Sequence, residues 1–169
     1  MSVLSREDIL KLARQEPPLV EGCRDLEAQV QANGLDLTLR EVAMLQAPGQ
    51  IMVDNRQRQI SDLTPLVFDG MGVIDLLPGS YMVTYNEIVR LPRNIMARGA
   101  PRSSLLRCGV NIGTAVWDAG YEGRSQSLLV VYHPQGFRLE RNARIMQLVF
   151  FTLTGETEGY RGHYQQENI

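Results

Sequence analysis

The chain has 169 residues, enough for one domain that buries about 70% of the surface its unfolded form exposes. Its net charge of −2 argues against a long polyanion such as nucleic acid as partner, because domains that grip one carry a broad basic field. Cys23 and Cys108 lie far apart with no pair spacing, the opening Met1-Ser2-Val3-Leu4-Ser5 lacks a basic stretch leading into an apolar run, and no segment approaches ~18 apolar residues, so the expectation is a cytoplasmic protein without disulfides or membrane spans.

In chain order, Ser5 with Asp8 has the form of a capping box, and Ile9, Leu10, Leu12 and Ala13 supply an apolar face, predicting a helix over 6–15 that ends before Pro17-Pro18. Beyond it the pattern changes to short strands broken by turn residues such as Gly34, Pro48-Gly49, Pro78-Gly79, Gly109, Gly120 and Gly136. Leu35-Asp36-Leu37-Thr38-Leu39 alternates, which sets Asp36 on the face opposite the leucines, and Tyr81–Tyr85 alternates in part. Leu128–Tyr132 and Leu148–Phe151 read as buried strands. Many short strands at close spacing predict a mainly β fold, a sandwich or distorted barrel with a short N-terminal helix, in one domain spanning 1–169. Residues 155–169 are polar and almost free of aliphatics, so they form a tail that is either disordered or a flap ordering over a ligand.

Lys11 is the only lysine among 17 basic residues, which makes the positions of the arginines informative. The densest polar cluster is Arg98–Arg107, where a Gly/Pro turn runs into Arg102, Ser103 and Ser104, with Arg107 close behind. Convergent hydroxyls, backbone N–H groups and guanidinium forks suit a polyphosphate, and a Ser-capped helix with solvated arginines has the same sequence. Asp118 stands at a strand end before the Gly120–Gly123 turn, placed either to orient a water or to form an Asx-turn, while Tyr121 either stacks on a sugar or covers the turn. His133 and His163 have no ligating neighbours, so no metal ligands are expected from the protein.

The order of these segments is more specific than any one of them. Gly34-Leu-Asp-Leu37, Pro101-Arg-Ser-Ser-Leu105 with Arg107 and Gly109, Thr114-Ala115, Asp118-x-Gly-Tyr-x-Gly123, Arg144-Ile-x-Gln-Leu148 and Tyr160-x-Gly-x-Tyr164 together resemble the dCTP deaminase and dUTPase superfamily. Ser-Ser-Leu-x-Arg-x-Gly, with Glu87 before Leu91-Pro92, is similar to its deaminase branch. The resemblance implies a homotrimer of jelly-roll-like subunits with interfacial active sites, a pyrimidine deoxynucleoside triphosphate as ligand, and Mg²⁺ bridging its phosphates. It also implies that Arg102, Ser103, Ser104 and Gln147 hold phosphates, that Asp118 holds the attacking water and the 3′-hydroxyl, and that Tyr121 excludes a 2′-hydroxyl. Arg107 joins Asp118 as a catalytic candidate. The backbone of Gly113, Thr114, Ala115 and Val116 is expected to read the base, and Tyr160, His163 and Gln166 to belong to a closing flap.

Deaminases of this branch carry a proton-shuttling Glu eight residues after the first glycine of the turn, a position that is Leu128 here. Leucine transfers no proton, so dUTP hydrolysis is the expected activity, with dCTP deamination and silent nucleotide binding as the alternatives. Glu167 falls where such flaps reach phosphate, an unfavourable charge for that contact.

Overall fold

The computed structural model describes residues 2–169. Its first element, α1 (Arg6–Ala13), opens on the expected capping box, with the Ser5 side chain accepting from Asp8 N and Asp8 Oδ2 accepting from Ser5 N at 3.2 Å. The helix ends at Ala13, with its apolar face and two residues short of the expected end, and Arg14 caps it. There follow β1 (Val20–Glu21), α2 (Leu26–Gln29), β2 (Val30–Gln31), the long β3 (Gly34–Leu45), β4 (Leu63–Pro65), β5 (Val73–Leu76), β6 (Gly79–Tyr85), β7 (Ile88–Arg90) and β8 (Ile95–Pro101). A short α3 (Ser103–Arg107) leads to β9 (Val110–Gly113), β10 (Val116–Trp117), β11 (Glu122–Gly123), β12 (Gln126–Val131), β13 (Phe137–Glu140) and β14 (Arg144–Thr152).

A nine-stranded antiparallel sheet runs β10-β8-β14-β3-β6-β12-β9, with β2 and β4 also pairing β3. The first half of β3 pairs with β14 and the second half with β6. Between them the register slips, Leu39 facing Tyr85 and Glu41 facing Thr84, so Arg40 is the extra residue of a bulge. A bulge bends its strand and increases the twist, and here it curls the sheet into a half-barrel, the mainly β distorted barrel anticipated from the strand spacing. Leu35, Leu37, Leu39, Val83, Tyr85, Leu129, Leu148 and Phe150 fill its interior at 0% exposure. Each such side chain contributes about 1.5–3 kcal/mol on leaving water.

Two strands depart from their sequence pattern. Asp36 is not on a solvated face: it is 2% exposed, because α2 and the Arg102 and Arg144 side chains cover the side of β3 that points away from the leucines. Strand β12 begins at Gln126 and is not buried on both faces. Ser127, Leu129 and Val131 point inward, while Leu128 is 37% exposed and Tyr132, past the strand end, is 66% exposed. The residues after Thr152 fold back on the chain: Thr157 N donates to Arg93 O at 3.0 Å, and Tyr160 N to Ala119 O at 2.8 Å. Among the described residues no helix is long and apolar enough to cross a membrane.

Glu87 pins the bend from inside. Its buried carboxylate accepts from Thr38 N (2.9 Å), Thr38 Oγ1 (2.6 Å) and Gln29 Nε2 (2.8 Å), tying β7's approach to β3 and α2. Burial pushes its pKa up against those donors. All its neighbours donate, so Glu87→Gln turns an amide N–H₂ against a donor and is expected to destabilise the fold by about 2–3 kcal/mol, read as a lower urea midpoint with unchanged m-value.

Candidate active site

The outward face of the curled sheet carries a cavity of about 290 Å³. Its floor is Leu45 at the end of β3, Met82 of β6 and Gln126 of β12, side chains that the pleat turns away from the core. One wall is the β10 segment from Ala115 to Asp118 with Tyr121. Ile60 and Ser61, from the excursion between β3 and β4, and Leu63, the first residue of β4, close a second side. The tail closes the third with Tyr160, Tyr164 and Glu167. Asp118 is exposed at this cavity and makes no ion pair among the described residues, as an acid must if it is to meet a ligand or a water.

Two polar groups of the lining are buried without a partner, Trp117 Nε1 and Ser125 Oγ. Both atoms lie beneath the cavity surface, and each unmet polar group costs stability where it stands. The Tyr121 hydroxyl, in contrast, is engaged, donating to Glu167 Oε1 at 2.8 Å, and burial followed by the nearby Glu167 charge drives its pKa far up. Burial likewise raises the pKa of Glu167, while its bond to Tyr121 opposes the shift. The tail is further sewn to the turn by Gln166 N to Glu122 O (2.7 Å), Arg124 N to Glu167 O (2.9 Å) and Gln165 Nε2 to Gly120 O (3.1 Å). Tyr160 packs edge-on against Tyr121, ring centres 5.9 Å apart, and the Arg58 guanidinium lies over the Tyr164 ring at 6.0 Å.

The glycines of this turn make room for the tail. A Cβ on Gly123 would stand 2.6 Å from Tyr121 Oη and 3.2 Å from Glu167 Cγ, and one on Gly120, at φ +84°, would stand 2.7 Å from Gly159 Cα. Gly123→Ala is therefore expected to displace Tyr121 and release the tail, seen as rapid proteolytic clipping within residues 155–169 while the remainder stays folded.

Of the residues singled out in the sequence, the structure brings Asp118, Ala115, Val116, Tyr121 and Tyr160 together around this cavity. Gly113 and Thr114 are not among its lining residues, and the Thr114 hydroxyl turns to Gly99 O at 3.3 Å. His163 and Gln166 are exposed on the tail, the former edge-on against Tyr164. The phosphate candidates form a separate group. Arg102 N donates to Ile145 O at 3.2 Å, Ser103 and Ser104 are exposed at the start of α3, and Arg107 is exposed in its last turn. Gln147 is paired across strands with Ala100 and Asp36. Arg102 is not without a protein partner: its Nε lies 3.1 Å from Asp36 Oδ2, and Arg144 Nη1 lies 3.5 Å from the same oxygen. Burial raises the Asp36 pKa while the two guanidiniums oppose the shift. Tyr164 belongs to the flap motif read from the sequence, whereas Leu45, Ile60, Ser61, Leu63, Met82, Trp117, Ser125 and Gln126 were not anticipated as site residues. Only Gln126 left a signal, through a period-two alternation that sets it on the same face as Leu128.

Residues 3–153 match the family described as dCTP deaminase-like. The chain belongs to this family. Among its relatives is a protein of Methanosarcina mazei named "Probable deoxyuridine 5'-triphosphate nucleotidohydrolase", 52% identical over 99% of both chains. A protein of the same name from Archaeoglobus fulgidus is 48% identical over 100% of this chain and 99% of its own. The crystal structure of 2'-deoxycytidine 5'-triphosphate deaminase from Agrobacterium tumefaciens has the same fold, with a TM-score of 0.62 over 88% of this chain at 24% identity. This chain spans 46% of that deaminase chain. The family match stops before the tail, so the placing of Tyr160, Tyr164 and Glu167 rests on geometry rather than on the match.

Proposed function

We propose that this protein hydrolyses dUTP to dUMP and pyrophosphate in one domain, residues 1–169, with residues 155–169 as its flap. The observation that carries the reading is the pairing of an unengaged acid, Asp118, with an apolar-floored cavity large enough for a pyrimidine, while Leu128 stands where a deaminase needs its carboxylate. The names of the relatives that match nearly its whole length point the same way. Asp118 accepts a proton from a water as that water attacks the α-phosphorus, the bond to the bridging oxygen breaks, and pyrophosphate leaves. Ala115 and Val116 flank the base, and Tyr121, held by Glu167, lies against the sugar.

Arg102, Ser103, Ser104 and Gln147, with Arg107 behind them, grip the phosphates of a substrate seated in the adjoining protomer's cavity, in a homotrimer. Two observations support sharing between protomers: in one chain these residues stand apart from the cavity lining, and Ile51, Val53, Val67 and Met71 are 79–109% exposed, apolar surface that association would cover. No cluster of three or more His, Cys, Asp or Glu suited to a metal exists among the described residues, so the donor set that fits Mg²⁺ is phosphate oxygen and water with at most an isolated carboxylate. When bound, the ion neutralises charge on the triphosphate.

One observation favours dCTP deamination as a second reading, the presence of Glu167, a carboxylate of raised pKa, in the cavity lining. Its Oε1 is occupied by Tyr121, which ties it to the flap rather than to a base. Incubating the protein with dUTP, dCTP, dTTP and UTP in the presence of Mg²⁺ separates the two. Pyrophosphate from dUTP alone is the expected result, and ammonia from dCTP would replace this reading with the second.

A further inference from the structure

We propose that Gln126 is the side chain by which this cavity distinguishes uracil from cytosine. The inference rests on the dUTP reading above and adds a named determinant to it. Gln126 is the carboxamide of the cavity floor, on the outward face of β12. Its Nε2 donates to Thr84 Oγ1 at 2.9 Å, and Thr84 is 6% exposed and paired with Gln126 in the β6–β12 register. In this arrangement Nε2 turns toward the sheet, and Oε1 receives no donor among the described residues. What it presents to the cavity is an acceptor.

The two pyrimidines differ in what they offer to an acceptor. Uracil has an N–H at position 3, whereas cytosine has a lone pair there. Facing position 3, Gln126 Oε1 accepts from uracil and is opposed by cytosine, lone pair against lone pair. Beside Gln126 the floor is the apolar Met82 and Leu45, which offer no donor to offset that mismatch. Glutamine, unlike glutamate, selects the base without transferring protons to it, which agrees with a hydrolase that leaves the ring intact. Thymine carries the same N–H, so Gln126 does not separate dUTP from dTTP.

The test is calorimetric binding of the non-hydrolysable α,β-imido analogues of dUTP and dCTP, with Mg²⁺, to the full-length wild-type protein, Gln126→Leu and Thr84→Val. Wild type is expected to prefer the uracil analogue. Gln126→Leu should reduce that preference by roughly tenfold to a hundredfold, mainly through weaker uracil binding. Thr84→Val, which frees the amide to turn over, should reduce it in the same direction by less, and it decides the matter if Gln126→Leu does not fold. An undiminished preference in a folded variant that still binds the uracil analogue overturns the role of Gln126 and leaves the hydrolase reading standing. Failure of wild type to bind either analogue overturns both.

Discussion

Asp118→Asn is expected to lower dUTP hydrolysis by about 10²- to 10⁴-fold, the range usual for loss of a positioned general base. The substitution keeps size and hydrogen-bonding reach but cannot take a proton from water. Asp118 is exposed and forms no ion pair among the described residues, so the unfolding midpoint should stay where it was and the α,β-imido analogue of dUTP should still bind. Pyrophosphate release measured beside analogue affinity separates the two effects. Turnover preserved within a few-fold would move the catalytic acid elsewhere, and Glu167 would be the next candidate in the cavity.

Arg102→Ala should fail in two ways at once, and the structure explains why. Sequence alone makes the triphosphate its partner, which leads one to expect lost affinity with an untouched fold. In the folded chain Arg102 also lies 3.1 Å from the buried Asp36, leaving that carboxylate only Arg144 at 3.5 Å once it is removed. A buried charge deprived of its nearer partner costs about 2–3 kcal/mol here, discounted from the full cost because Arg144 remains and Arg102 is partly exposed. Triphosphate affinity should fall by roughly tenfold to a hundredfold, the worth of one charge-assisted contact. The double variant Arg102→Ala with Asp36→Asn sorts these losses, since neutralising Asp36 should restore part of the urea midpoint but none of the affinity. Full affinity in folded Arg102→Ala would remove Arg102 from the phosphate site.

Local signals carried the parts of this architecture that local physics determines. Ser5 and Asp8 lie within a single turn, so their reciprocal cap is visible in the sequence and present in the structure. The half-barrel was legible as short strands between turn residues, but its curl was not. It depends on a bulge at Arg40 and a buried Glu87 whose donors, Gln29 and Thr38, come from elements far from it in sequence. Period-two alternation correctly separates the faces of β3 yet cannot tell whether the second face meets water or another layer, and so the burial of Asp36 was not legible. The same limit made Leu128 look buried.

The site divides similarly. Asp118, Tyr121 and Tyr160 were legible because a turn with glycines that the tail needs leaves a compact signature in the chain. Leu45 and Met82 were not, because an apolar residue on the outer face of a strand looks the same as one in the core until the fold shows which way it points. Glu167 was read as a charge set against phosphate, whereas the tail's return along Gly123 carries it to the Tyr121 hydroxyl.

A crystal structure of the assembled protein with Mg²⁺ and the α,β-imido analogue of dUTP tests the account most directly. The base should lie between Met82, Gln126 and the Ala115–Asp118 wall, with the α-phosphate beside Asp118 and the Arg102 fork of a neighbouring protomer on the phosphate chain. An analogue bound outside that cavity, or one whose α-phosphate lies out of reach of Asp118, would contradict it.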